Sequence, residues 1–386
     1  MNDCVTRQLI RDLTDDQARS AFPLKWGAVE PGVVPGWVAE MDYRPAPPIE
    51  EALVATVRQG ALGYAAFGDG GLGEAFAGFA KRHWDWSVPA ESVLPTGGVM
   101  GGIRLALEAL CPPGPVVVPL PCYPPFRDAV AITGRELVTV TVDPDADEAV
   151  LDLAAVEAAF AAGTRTFLLC NPHNPLGRAW SREELTELAE LARRYDVRVV
   201  SDEIHAPLVL AGATFTPYLT VDERAVVVTS ASKSFNVPGV HGAQLVLLDA
   251  ADRAVFAGLP VPAQNSWSSL GIVAGVAAWR DGDEWHAALL ERLTAQRALL
   301  GDLLATRLPR ARMRPLEATY LAWLDLRAYG VDDPAAAGLA HGVRLAPGSD
   351  YQPGLDGHVR LNLATNADRL ELMVHRLATA LTSRNS

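Results

Sequence analysis

The run Ala225-Val-Val-Val-Thr-Ser-Ala-Ser-Lys233-Ser-Phe-Asn236 decides how this chain is read. Ala225 to Thr229 are small or β-branched residues, a short apolar run of the kind that forms a strand buried on both faces of a parallel sheet. The run then breaks into serines around a lysine. In open α/β sheets ligands bind beyond the carboxyl ends of the strands, so this polar cluster stands where chemistry is expected. Working outward, Val116–Val118, Phe167–Cys170, Val197–Val200 and Gln244–Leu248 are expected to be further buried strands. Two of them also run into polar clusters, Asn171-Pro-His-Asn-Pro and Ser201-Asp-Glu. Between them Ser181 can cap a helix, with Glu184 three residues on and Leu185, Leu188, Leu191 and Ala192 on one face. Strands alternating with helices predict an α/β fold with a mostly parallel sheet.

Lys233 also stands out by composition. The chain has 30 arginines and only three lysines, Lys25, Lys81 and Lys233. Arginine serves wherever a surface cation is wanted, and a guanidinium cannot do an amine's covalent chemistry, so a lysine among serines at a strand end needs its own reason.

At 386 residues the chain predicts one large domain and a smaller one. The expected division is an arm over 1–45, rich in Pro and Gly, that packs with the small domain, a large α/β domain over 46–280, and a small α+β domain over 281–386. The last is read from helical sequence at Trp285–Leu304, strand-like runs at Tyr320–Leu326 and His358–Leu363, and a final helix from about Asp368. The formal charge of −13 repels nucleic acid and anionic lipid. No run of 18 apolar residues occurs, and Met1–Ile10 holds no apolar leader, so a cytoplasmic location is expected. Cys4, Cys111, Cys122 and Cys170 lack metal-ligand spacing, the eight histidines are dispersed, and no metal site is expected. Gly68-Asp-Gly-Gly-Leu-Gly matches a dinucleotide fingerprint, but without a preceding strand it carries no weight.

Asn171-Pro-His-Asn-Pro-Leu-Gly, Ser201-Asp-Glu-Ile-His, Ser230-Ala-Ser-Lys-Ser-Phe-Asn and Arg360-Leu-Asn-Leu-Ala together resemble, in order, the motifs of fold-type I enzymes dependent on pyridoxal 5'-phosphate (PLP), the aspartate aminotransferase superfamily. The resemblance runs from about Trp37 to the last helix. Within that superfamily, Trp37-Val-Ala-Glu-Met-Asp-Tyr, Asp202-Glu-Ile-His and Lys-Ser-Phe-Asn are most similar to the MalY/PatB-type cystathionine β-lyases, or C–S lyases.

The resemblance implies roles residue by residue. Lys233 would hold PLP covalently and act as the Cα base. Asp202 would hold the ring nitrogen protonated so that the ring can absorb charge. Asn174 and His205 would face the cofactor's phenolic oxygen, and Tyr123 would stack on the ring. Gly98 and Val99, in Thr96-Gly-Gly-Val-Met-Gly-Gly, would offer backbone N–H groups to the phosphate, with Ser230 and Ser232 completing the cup. Arg360 would grip the substrate's α-carboxylate. Trp37 would help bind substrate, and Tyr64 would reach the active site of the neighbouring subunit in a homodimer.

Two departures from the aminotransferase pattern matter. His241 stands eight residues after Lys233 where a phosphate-binding arginine is usual, and His205 stands where a tyrosine is usual. Both favour β-elimination on L-cystathionine or another L-cysteine S-conjugate, giving thiol, pyruvate and ammonia. Transamination would use the same residues and stays open at this point, as does a PLP-fold regulator.

Overall fold

The computed structural model describes residues 9–65, 68–260, 263 and 267–383; Cys4 lies outside them. Strands take their numbers in chain order: β1 Val34–Pro35, β2 Val93–Thr96, β3 Val116–Leu120, β4 Leu137–Thr141, β5 Thr166–Cys170, β6 Arg198–Asp202, β7 Val226–Thr229, β8 Ala243–Val246, β9 Arg312–Met313, β10 Leu321–Asp325, β11 Val343–Arg344, β12 Ala346–Pro347 and β13 His358–Asn362.

Among the described residues the large sheet has the order β2-β8-β7-β6-β5-β3-β4. Strands β7, β6, β5, β3 and β4 are parallel neighbours, and β8 runs antiparallel to both β7 and β2. The chain passes outward from β3 to β4 and then returns to place β5 on the other side of β3. That reversal opens a crevice at the carboxyl ends of β3 and β5. The three central valines of β7 are fully buried, as are Phe167, Leu168 and Leu169 of β5, consistent with strands covered on both faces.

The expected strands form within one or two residues of their predicted ends. Sequence reading missed β2 and β4, the two edges of the sheet. Strand β2 contains Pro95, which an edge strand tolerates. Strand β4 is only partly buried, so it has no continuous apolar run to announce it. The helix Arg182–Arg194 forms with the capping box complete: Ser181 Oγ accepts from Glu184 N at 3.1 Å, and Ser181 N donates to Glu184 Oε2 at 2.8 Å. Such caps contribute on the order of 1 kcal/mol.

A second, antiparallel sheet has the order β12-β13-β10-β9; the helix Pro334–Ala340 lies against β12 and β13, and the helix Ala367–Thr382 packs on that helix and on Asp283–Arg307. Asn366 caps the helix Ala367–Thr382 by accepting from Arg369 N. Residues from the amino-terminal part lie against this second layer: β1 pairs in parallel with β11, and Arg369 donates to Asp15 Oδ1 and to Leu13 O. No described helix is long and apolar enough to cross a membrane, and the described residues hold no metal-ligand cluster.

The fingerprint at Gly68 is filled from within. Asp69 accepts from Gly71 N at 3.2 Å and from Gly73 N at 2.7 Å, so its carboxylate occupies the place a phosphate would take.

Candidate active site

The site is assembled from strand ends. Strand β6 closes on Asp202, which stands in register with Cys170 at the end of β5 and with Val228 of β7. The next turn after β5 carries Asn174, and the loop after β7 carries Ser230, Ser232 and Lys233.

Asp202 is 3% exposed, and the hydrogen bond it accepts comes from Ile204 N at 3.0 Å. Burial lifts its carboxyl to about 7, against the smaller opposing effects of that bond and of the Lys233 charge. Lys233 shows the mirror behaviour. Burial depresses its amine to about 8; Glu40 pulls it back up, Arg360 pushes it down, and Asp202 raises it. Its Nζ donates to Ala39 O at 2.9 Å, so the amine rests on backbone contributed by the stretch Trp37–Tyr43, almost two hundred residues away in sequence.

Arg360, on β13, reaches the same crevice from the second sheet. It is 4% exposed, donates from Nη1 to Asn174 Oδ1 at 3.0 Å and from Nη2 to Trp37 O at 2.7 Å, and lies 5.0 Å over the Tyr351 ring. Tyr123 follows β3 at the start of the helix Pro124–Ile132. Burial raises its phenol, with the charges of Arg360 and Asp202 acting on it in opposite senses. His205 is buried and its imidazole is pushed down to about 3, chiefly by burial and then by Lys233 and Arg360. It is therefore neutral, and its Nδ1 has no hydrogen-bond partner among the described residues.

Gly98 precedes the helix Val99–Ala109 with φ 127°, a conformation L side chains rarely adopt. The helix has no side-chain cap and no acidic residue in its first turn, and a Cβ at Gly98 would meet only open space. Gly102 lets this helix lie against the sheet, since a Cβ there would come within 2.8 Å of Val228 Cγ1. The Ser230 hydroxyl donates to Gly242 O at 2.6 Å and accepts from Ser232 N at 3.0 Å, shaping the turn that presents Ser232 and Lys233. His241 is exposed in the left-handed region at φ 52°.

Two expected residues stand differently from the rest. Tyr64 has a relative exposure of 105%, so it projects away from the rest of the chain. The Trp37 ring carries the Arg344 guanidinium at 3.7 Å, and its Nε1 donates to Lys25 O; its carbonyl, not its indole, meets Arg360.

Sequence reading missed what organises this site. Asn236 exchanges hydrogen bonds with Met41 N and O and donates to Tyr43 O. Asn362 Nδ2 donates to Val38 O and Glu40 O, both at 2.7 Å, and Tyr320 OH donates to Ala39 O at 3.0 Å. Lys25, passed over in the sequence, is 1% exposed and donates to Asp42 Oδ1 at 2.8 Å and Glu40 O at 2.9 Å. The scarcity of lysine was the available signal, and it pointed to the buried Lys25 as well as to the half-buried Lys233.

These residues fit PLP. Among the described residues a glycine-opened helix start stands free of any side-chain cap, a buried carboxylate has a single hydrogen-bond donor, a buried imidazole nitrogen lacks a partner, and the amine is of lowered basicity. Comparison with known proteins agrees. The family model described as "Aminotransferase class I and II" matches residues 41–377. A cystathionine β-lyase of Corynebacterium glutamicum is 33% identical, over 95% of this chain and 98% of the relative. The cystathionine β-lyase PatB of Bacillus subtilis is 34% identical, over 90% and 92%. The crystal structure of a PLP-bound C–S lyase from Staphylococcus hominis superposes with a TM-score of 0.84 at 25% identity, covering 91% of this chain and 92% of that one. The chain belongs to the class I and II aminotransferase family, and within it is a PLP-dependent carbon–sulfur β-lyase of the MalY/PatB type.

Proposed function

We propose that Lys233, Asp202, Tyr123, Asn174, His205 and Arg360 carry out α,β-elimination on an L-cysteine S-conjugate such as L-cystathionine, with PLP held at the carboxyl ends of β3, β5, β6 and β7. The observation that carries these assignments is the convergence of the Lys233 amine, the buried Asp202 carboxylate and the Arg360–Asn174 pair on one crevice. Asp202 would hold the ring nitrogen, Tyr123 would stack on the ring, and Asn174 with His205 would bind the phenolic oxygen. The Gly98 and Val99 N–H groups would take the phosphate, beside the turn that Ser230 and Ser232 shape. PLP, when bound, supplies a sink for the electron pair left on Cα.

The residues do the rest. Arg360 receives the α-carboxylate on its planar fork and so fixes the Cα–H bond relative to Lys233. The Lys233 amine, already of low basicity through burial, takes the Cα proton and becomes an ammonium. The thiolate leaves from Cβ, and that ammonium stands ready to return a proton to it. Water completes the balance, and the products are thiol, pyruvate and ammonia.

The assembly we propose is a homodimer in which Tyr64, exposed on its own protomer, enters the neighbouring site. Cys111, Cys122 and Cys170 are free thiols, which suits a reducing compartment, the cytoplasm. The test is to supply the holoenzyme with L-cystathionine and with S-alkyl cysteines and to measure thiol and pyruvate together. Equal release of both without any added keto acid is expected. Strict dependence on a keto-acid acceptor would establish transamination instead.

A further inference from the structure

Glu40 belongs to the stretch on which the Lys233 amine rests, yet none of the roles above uses its side chain. Its Oε2 is buried and has no hydrogen-bond partner among the described residues. An unpaired carboxylate oxygen away from water is costly unless a cation lies close by. Two lysines flank it. Lys25 is already neutralised, since its Nζ donates to Asp42 Oδ1 at 2.8 Å and to Glu40 O at 2.9 Å. Lys233 is not, because its Nζ donates to a neutral carbonyl, Ala39 O, one residue away from Glu40.

We propose that the Glu40 carboxylate is the counter-charge of the Lys233 amine, a positioning residue that acts through Lys233 and not on the substrate. The proposal rests on the reading of Lys233 as the PLP-bearing lysine and Cα base. With Asp202 given over to the cofactor's ring nitrogen, Glu40 is the anion left for the amine. As the Cα–H bond breaks and the new N–H bond forms on Lys233, the resulting ammonium is stabilised by Glu40 and keeps its proton for the departing thiolate.

The other groups around the pair are accounted for. Arg360 opposes a positive charge on Lys233, and Asp202 favours it less than Glu40 does. His205 is neutral, and Tyr320 shares the Ala39 carbonyl through its hydroxyl. On the far side Glu40 meets Lys25 and Asp42. Burial raises the Glu40 carboxyl and lowers the Lys233 amine, and the charge of each works against the shift of the other.

The experiment is a pH titration of the visible absorption of lysine-bound PLP in wild type, Glu40→Gln and Glu40→Asp holoenzymes, with pH profiles of kcat. Removing the negative charge lowers the proton affinity of Lys233. The absorbance midpoint of E40Q should therefore fall by about one pH unit, and the acid limb of kcat should move the same way. E40D keeps the charge and should titrate close to wild type. A merely structural Glu40 would change stability or PLP content and leave the midpoint in place. An E40Q midpoint coincident with wild type overturns the proposal. If E40Q does not bind PLP, Glu40→Ser is titrated in its place, and an unshifted midpoint there counts equally. The underlying reading fails separately: a Lys233→Ala protein that still shows the wild-type absorption band would remove Lys233 as the anchor whatever Glu40 does.

Discussion

Replacing Arg360 with lysine separates recognition of the α-carboxylate from every other property of the site. In the structure Arg360 divides its fork between Asn174 Oδ1 at 3.0 Å and Trp37 O at 2.7 Å, and its plane lies over Tyr351. A lysine ammonium is a point charge that cannot hold both anchors and still present two parallel donors to a carboxylate. One charge-assisted hydrogen bond to the substrate is lost, about 1.5–3 kcal/mol, so kcat/KM should fall roughly 10- to 150-fold. The fold should survive, because β13 keeps its backbone pairing with β10 and β12 on either side of residue 360. The assay compares kcat/KM for an S-alkyl-L-cysteine with that for its methyl ester. Wild type should prefer the free acid strongly, and Arg360→Lys should erase most of that preference by losing activity on the acid alone. If the variant loses acid and ester to the same extent, Arg360 is not reading the carboxylate, and the placement of substrate proposed above is wrong.

Three other outcomes follow from the same geometry. Lys233→Ala should abolish turnover and the visible band of bound PLP together, measured by absorbance and pyruvate release; turnover near the wild-type rate would refute its role. Glu203, buried beside Asp202, accepts from Tyr218 N at 2.8 Å and from Ser201 Oγ at 3.2 Å, and burial raises its carboxyl from 4.5 to about 8. Because the folded value lies above the unfolded one, its contribution to stability is whole below about 4.5 and is lost as pH rises through about 8. Glu203→Gln should therefore flatten the fall of Tm over that interval, and a variant with the wild-type slope would contradict this. Finally, mixing inactive Lys233→Ala subunits with impaired Tyr64→Ala subunits should restore activity in hybrid dimers, since one site then holds both native residues; no recovery in verified hybrids would refute a shared site.

Much of this was legible because parallel sheets announce themselves locally. Val226–Thr229 and Thr166–Cys170 are buried on both faces, so their apolar runs end abruptly at the residues that face the crevice. The polar clusters that hold Lys233, Asp202 and Asn174 could be found from that pattern, and the motifs then singled out the residues within them. Arg360 could not: it lies on a strand of the second sheet among 30 arginines, and only its surrounding motif distinguished it. The roles of Lys25 and Glu40 were invisible because they depend on contacts between the amino-terminal stretch and residues near 233 and 362, and no local periodicity encodes a pairing of that span. Trp37 is a different case. Its ring lies against the Arg344 guanidinium and donates to Lys25 O, partners that the sequence does not place beside it. Strands β2 and β4 were hidden for a simpler reason, since edge strands need neither continuous burial nor freedom from proline.

The floor of this site is made of main chain. Trp37, Val38, Ala39, Glu40, Met41 and Tyr43 all present carbonyls to side chains from elsewhere, and Asp42 N donates to Ala364 O. A surface held by its peptide groups is indifferent to many side-chain changes and intolerant of any change in length. Substituting Val38 or Ala39 would leave the acceptor of the Lys233 amine where it is, because the carbonyls do not change with the side chains. Deleting one residue between Trp37 and Tyr43 would shift every later carbonyl by one place, and the amine would lose its seat. This stretch can therefore change by exchange of residues, and not by insertion or deletion.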